Sequence, residues 1–133
     1  MRVVATRREG FTHEVEIEGG HTLVIDEPTS EGGNDAGPAP TRVLAAALAA
    51  CTAITCEMYA RRKGWELGKV EVDVEVTYGR ASSLEELVVT LKVPERLDDP
   101  QRDRLLVIAG KCPVHRALHS ETKVTITDRI ESG

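Results

Sequence analysis

The chain lacks an excess of positive charge: across 133 residues, 17 Lys and Arg stand against 22 Asp and Glu, a formal charge of −5 with the two signs interspersed. A general nucleic-acid binder or a protein held on anionic lipid needs a basic surface to meet phosphates, so neither class fits, and only a local basic pocket is compatible with the balance. Cysteine is scarce and odd in number, with three residues at 51, 56 and 112. That spacing suits neither a secreted disulfide framework nor a zinc ribbon, and it favours a cytoplasmic protein with reduced thiols. The start, MRVVATRREG, turns charged within a few residues and has no apolar core with a small-residue cleavage site, so no signal peptide is expected. There is no internal repeat, low-complexity tail or linker. Gly32-Gly33 lacks both a preceding strand and the Gly-Lys-Ser/Thr ending of a phosphate loop. The length is that of one domain, residues 1–133, able to bury roughly two-thirds of its unfolded surface in a core.

What is present is a clear order of periodicities. Apolar residues recur with period two over 2–6, 11–17 and 21–25, and Gly19-Gly20 between the last two supplies the positive φ of a tight hairpin. Residues 27–40, rich in Gly and Pro, read as loop. A long apolar helix is expected from near Thr41 to Gly64, about 22 residues and 33 Å, with Arg61, Arg62 and Lys63 where the carbonyl end favours cations. The apolar run over 43–60 approaches membrane-spanning length. It carries Glu57 and is rich in Ala, so it reads as the buried helix of a soluble protein, without a membrane. Being apolar on nearly every face, it should be covered on all sides, which in a small chain calls for a partner subunit. Alternation over 70–78 and again through Leu87, Val89, Leu91 and Val93 predicts two further strands. Short helices follow over 98–109 and 113–118, and a last strand over 124–130. The class is α+β with an antiparallel-rich sheet.

The thiols are the candidates for chemistry. Cys51 lies near the middle of the long helix, where a free Cys is ordinarily a small inert hydrophobe, and a low pKa there needs a cation brought in from another element. Cys56, five positions on, faces elsewhere and reads as core packing. Cys112 has the better local address. In Lys111-Cys112-Pro113-Val114-His115, Pro113 suits a first helical position, which puts Cys112 at the N-cap beneath open amides, with the Lys111 charge beside it. His115, three residues on, either hydrogen-bonds a thiolate or caps the turn. Reactive thiol and structural cap both remain open. Cys-x-x-His also invites a metal, but His13, His21 and His119 are scattered and no second close ligand pair exists, so none is expected.

The run GGNDAGPAPTRVLAAALAACTAITCEMYARRKGW, together with LLVIAGKCPVHRAL about 60 residues after its cysteine, resembles the OsmC/Ohr family of small thiol-dependent proteins, and within it the YhfA-like branch. The resemblance implies an OsmC-like fold: an antiparallel-rich six-stranded sheet, short helices, and a long buried central helix in an intertwined homodimer. It further implies that the residue matching Cys51 attacks an organic hydroperoxide and that the one matching Cys112 resolves it. A dithiol such as a lipoylated protein would restore the pair without haem, flavin or metal. In such chemistry the thiolate becomes a sulfenic acid and condenses with the second thiol to a disulfide. Candidate activating or orienting groups are Arg7, Arg8, Arg42, Lys111 and His115, and an apolar mouth formed by Phe11, Leu44 and Leu48 would favour organic peroxides. The chain departs from the peroxidase pattern in one respect. Those members carry a Glu nine or ten residues before the helix cysteine, paired with an N-terminal Arg, whereas Arg42 and Thr41 stand here. A small-molecule-binding or redox-sensing protein with little turnover is therefore the alternative function.

Overall fold

The computed structural model describes residues 1–132 and divides into two compact units, Met1–Ala46 and the residues from Ala47 onward. In the first, strands β1 (Val3–Glu9), β2 (Thr12–Ile17) and β3 (His21–Ile25) form an antiparallel meander in the order β1-β2-β3. Ile17 pairs with His21 across the hairpin, and Gly19 and Gly20 both take positive φ, as the turn requires.

The loop that follows is organised by one buried carboxylate. Asp26, 1% exposed, accepts hydrogen bonds from the Thr12 hydroxyl at 2.5 Å and from the backbone N–H groups of Glu27, Asn34 and Ala36. Thr12, in turn, accepts from the Asn34 side-chain amide at 3.2 Å. The Thr12 hydrogen bond, followed by the three amides, holds the Asp26 carboxyl below its ordinary value against the opposing effect of burial. Gly33 is required here because a Cβ would overlap the Glu27 carbonyl.

Helix α1 (Pro40–Lys63) runs out of this unit into the second. It ends as a run of good helix formers meets Gly64, whose left-handed φ of 71° lets the Trp65 amide bond back to Ala60 at 2.9 Å. In the second unit, β4 (Glu71–Tyr78) and β5 (Leu84–Lys92) pair antiparallel, and α2 (Asp99–Ala109) and α3 (Pro113–Leu118) follow. Asp98 starts α2 through a reciprocal capping box with Gln101. The core joins the end of α1 to α2: Cys56, Tyr59 and Ala60 pack with Leu67, Leu97, Leu105 and Ile108. Arg104 donates to the Tyr59 hydroxyl at 3.1 Å.

Two expectations are corrected. The single six-stranded sheet is replaced, among the described residues, by two separate sheets of three and two strands. The last predicted strand, 124–130, makes no ladder: alternation makes a segment able to pair but supplies no edge to pair with. Its Val124, Ile126 and Ile130 are 61, 80 and 99% exposed. By its own chain α1 is covered on only some of its faces: Ile54 and Met58 are more than half exposed.

Candidate active site

Cys112 is placed by the turn between α2 and α3. Its amide bonds to Ala109 and that of Lys111 to Ile108, so the chain reverses tightly before Pro113 opens α3. Cys112 is the N-cap, and its Sγ accepts the His115 N–H at 3.5 Å, one of the donors a helix start leaves open. This turn brings Cys112 against the middle of α1. Cys51 and Cys112, 61 residues apart, are joined in a disulfide with a Cα–Cα separation of 5.9 Å, well inside the range such bonds need.

The two sulfur-bearing residues differ in access. Cys112 is fully enclosed at 0% exposure, whereas Cys51 is only half-buried. A reagent arriving from solvent therefore meets Cys51 first. Cys56 is outside the site: it is fully buried, its Sγ lies 3.7 Å from the Leu105 carbonyl oxygen, and burial, with the Glu57 charge adding, pushes its thiol up to about 11. The local argument that made Cys112 the readier thiolate is thus met by a second factor, enclosure.

A cavity of about 320 Å³ is lined by residues three positions from each cysteine, though by neither cysteine itself. Leu48, three residues before Cys51 on α1, and His115, three after Cys112, line it together with Leu84, Leu87 and Val89 of β5 and with Leu118. Glu85, Glu86 and His119 complete the wall. The His115 and His119 rings are 5.7 Å apart, and His115 Nδ1 is shut off from solvent without a hydrogen-bond partner among the described residues.

Of the residues singled out from sequence, Cys51, Cys112, His115 and Leu48 are therefore gathered in one place. Lys111 is exposed on the turn before Cys112. Arg7, Arg8, Arg42, Phe11 and Leu44 belong to the first unit. There Arg8 is ion-paired with Glu14, Arg42 is exposed in the first turn of α1, and Phe11 lines a separate cavity with Val15, Ile25 and Pro40. The β5 residues of the cavity were not singled out from sequence. Their alternation marks a half-buried face without saying that α1 and α3 stand over it, and Glu85-Glu86 reads simply as solvated charge.

The sequence profile of a family described as OsmC-like protein matches residues 32–127. Among solved structures, an OsmC-like protein from Mycoplasma pneumoniae is 18% identical, with 89% of this chain and 86% of that one covered at a TM-score of 0.76. An organic hydroperoxide resistance protein OsmC from Legionella pneumophila is 22% identical over 89% of each chain at 0.62. The organic hydroperoxide resistance protein OhrB of Bacillus subtilis is 25% identical over 87% of each chain at 0.57. No curated protein matches the chain.

Proposed function

Since the chain belongs to the OsmC-like family, we propose that it is a thiol-dependent peroxidase that reduces organic hydroperoxides with Cys51 and Cys112. The observation that carries this reading is the pairing of a half-buried Cys51 with a wholly enclosed Cys112 across 61 residues. The Cys51 thiolate attacks the distal oxygen of ROOH. The O–O bond breaks, RO⁻ leaves and takes up a proton as ROH, and Cys51 becomes a sulfenic acid. Cys112 then displaces hydroxide from that sulfur, its own proton and the hydroxide leaving as water, and the S–S bond forms.

Restoration follows from the same asymmetry. A dithiol reductant, such as a lipoylated protein in the cytoplasm, reaches the Cys51 sulfur and expels Cys112 as thiolate. The departing thiolate is favoured by the His115 amide at 3.5 Å and by the charge of Lys111. The reductant's second thiol then closes its own disulfide and frees Cys51. Low-identity fold likeness to hydroperoxide resistance proteins supports this chemistry, and placement in the YhfA-like branch is part of the proposal, resting on the resemblance of the two sequence stretches taken together. The same reading includes a homodimer. The exposed Ile54 and Met58 on α1, and the unpaired alternating segment 124–130, are surfaces a second copy would cover.

One feature favours a second reading: Thr41 and Arg42 occupy the positions where peroxidase members carry a carboxylate, so a binding or redox-sensing protein with a single slow oxidation is the alternative. Stopped-flow mixing of reduced protein with cumene hydroperoxide separates the two. The peroxidase loses two thiols per peroxide, forms the Cys51–Cys112 disulfide, leaves Cys56 reduced and turns over with a dithiol. Cys51→Ser abolishes the reaction. Cys112→Ser, which keeps a good helix cap, stops at a sulfenic acid trapped by dimedone. Oxidation no faster than that of free cysteine refutes the peroxidase.

A further inference from the structure

Among the described residues, one buried side-chain nitrogen or oxygen has no hydrogen-bond partner, the Nδ1 of His115. A buried polar atom left in that state costs free energy. The atom is closed even to water, so no ligand from solvent satisfies it, and its partner has to come from the chain itself. Its place narrows the choice. His115 is the third residue of α3, whose N-cap is Cys112, and its own backbone N–H already reaches the Cys112 sulfur at 3.5 Å. Nδ1 is the ring nitrogen nearer that backbone. Cys112 is itself fully buried, so the proton it carries when reduced has no water to bond either. Other enclosed donors are committed: the Thr52 hydroxyl to the Leu48 carbonyl at 2.8 Å and the Cys56 thiol to that of Leu105 at 3.7 Å. In the disulfide the Cys112 sulfur has no proton to give, and Nδ1 stands alone.

We propose that in the reduced protein the Cys112 thiol donates a hydrogen bond to His115 Nδ1, so that His115 favours the dithiol over the disulfide and takes the Cys112 proton as the disulfide forms. Once the S–S bond is gone, rotation about the Cα–Cβ bond of Cys112 turns its sulfur between the His115 amide and the His115 ring. In the closing step Nδ1 accepts the thiol proton while the Cys112 sulfur attacks the Cys51 sulfenic acid. The S–S bond forms, the S–O bond breaks, and the imidazolium passes the proton to the departing hydroxide, which leaves as water. The bias towards the dithiol requires only that the pair interconverts, so it holds for a peroxidase and for a redox sensor alike. The proton transfer rests on the peroxidase reading.

Equilibration of the full chain with mixtures of dihydrolipoate and lipoate at about pH 8, where an ordinary imidazole is neutral, measures the bias, the disulfide fraction being read by alkylation and mass spectrometry. His115→Leu keeps the amide and removes the ring nitrogen. It should shift the equilibrium about fivefold towards the disulfide, the low end of the cost of one unsatisfied buried group, because a thiol is a weak donor. His115→Asn, whose side-chain oxygen restores an acceptor near the same place, should recover most of that shift. In the parent, the nitrogen NMR resonance of His115 Nδ1 should move upfield on reduction, and in Cys51→Ser it should hold the reduced position. With cumene hydroperoxide in a single turnover, His115→Leu should form the sulfenic acid at the parental rate and close the disulfide at least about tenfold more slowly. An equilibrium moved by less than about twofold, an Asn variant no nearer the parent than the Leu variant, or an Nδ1 resonance indifferent to redox state overturns the proposal. If His115→Leu does not fold, the parent resonance decides. Peroxide turnover without these effects leaves the peroxidase and removes the hydrogen bond. The equilibrium shift and the resonance change without peroxide turnover leave the hydrogen bond and remove the peroxidase.

Discussion

Reducing the Cys51–Cys112 disulfide should cost the folded protein a large, calculable part of its stability. The bond closes a loop across 61 residues of sequence separation. Chain-entropy bookkeeping for a loop of that length gives about 4 kcal/mol of constraint on the unfolded state. Against it stands a return of at most about 1 kcal/mol, because a freed Cys112 sulfur accepts the α3 amide better as a thiolate than as part of a disulfide. The net expectation is about 3 kcal/mol. Urea unfolding of oxidised and reduced protein at one fixed concentration, followed by far-UV circular dichroism, measures it. With a slope of about 2 kcal/mol per molar urea for a chain of this size, the midpoint should fall by about 1.5 M on reduction. Cys51→Ser/Cys112→Ser should follow the reduced protein. A midpoint that moves by less than about 0.3 M, or that rises, refutes the reasoning: the two cysteines would then not be bridged across the folded core. Such a result would remove the basis of the catalytic cycle as well.

Two further outcomes follow from separate parts of the molecule. Asp26 is held below its usual value by Thr12 and three backbone amides, so its contribution to stability is complete above the unfolded carboxyl value near 3.8 and is lost as pH falls through the lower folded value. Asp26→Asn should therefore lower the thermal midpoint at neutral pH and narrow its difference from the parent as the pH drops below about 4, as read by scanning fluorescence or circular dichroism; a difference independent of pH would show that the charge plays no part. The exposed apolar residues of α1 and of 124–130 predict a dimer at micromolar concentration by sedimentation velocity, and Ile54→Glu/Met58→Glu should shift it to monomer; a parent protein that sediments as a monomer of 14.5 kDa removes that part of the proposal.

The elements themselves were largely legible. Gly19-Gly20 marked the hairpin and Gly64 the end of α1. Pro113 marked the start of α3, and with it the N-cap position of Cys112, because each of these is a local backbone constraint that acts wherever the chain folds. The β4 and β5 alternation was equally direct, since the pleat imposes period two on any half-buried strand. Segment 124–130 carries the same alternation and forms no strand. Hydrogen-bonded pairing is a relation between two segments, and a pattern in one of them cannot supply the other.

The site divides along the same line. Composition and residue spacing determined that the chemistry, if any, belongs to thiols, that Cys56 is a core residue, and that Cys112 begins a helix beneath open amides. Only the tertiary structure decided that Cys112 meets Cys51, that it is the enclosed partner of the two, and that residues of β5 share a cavity with Leu48 and His115, each three positions from one of the cysteines. Access and proximity are properties of surfaces brought together from distant parts of the chain, and no local rule of helix, strand or turn contains them.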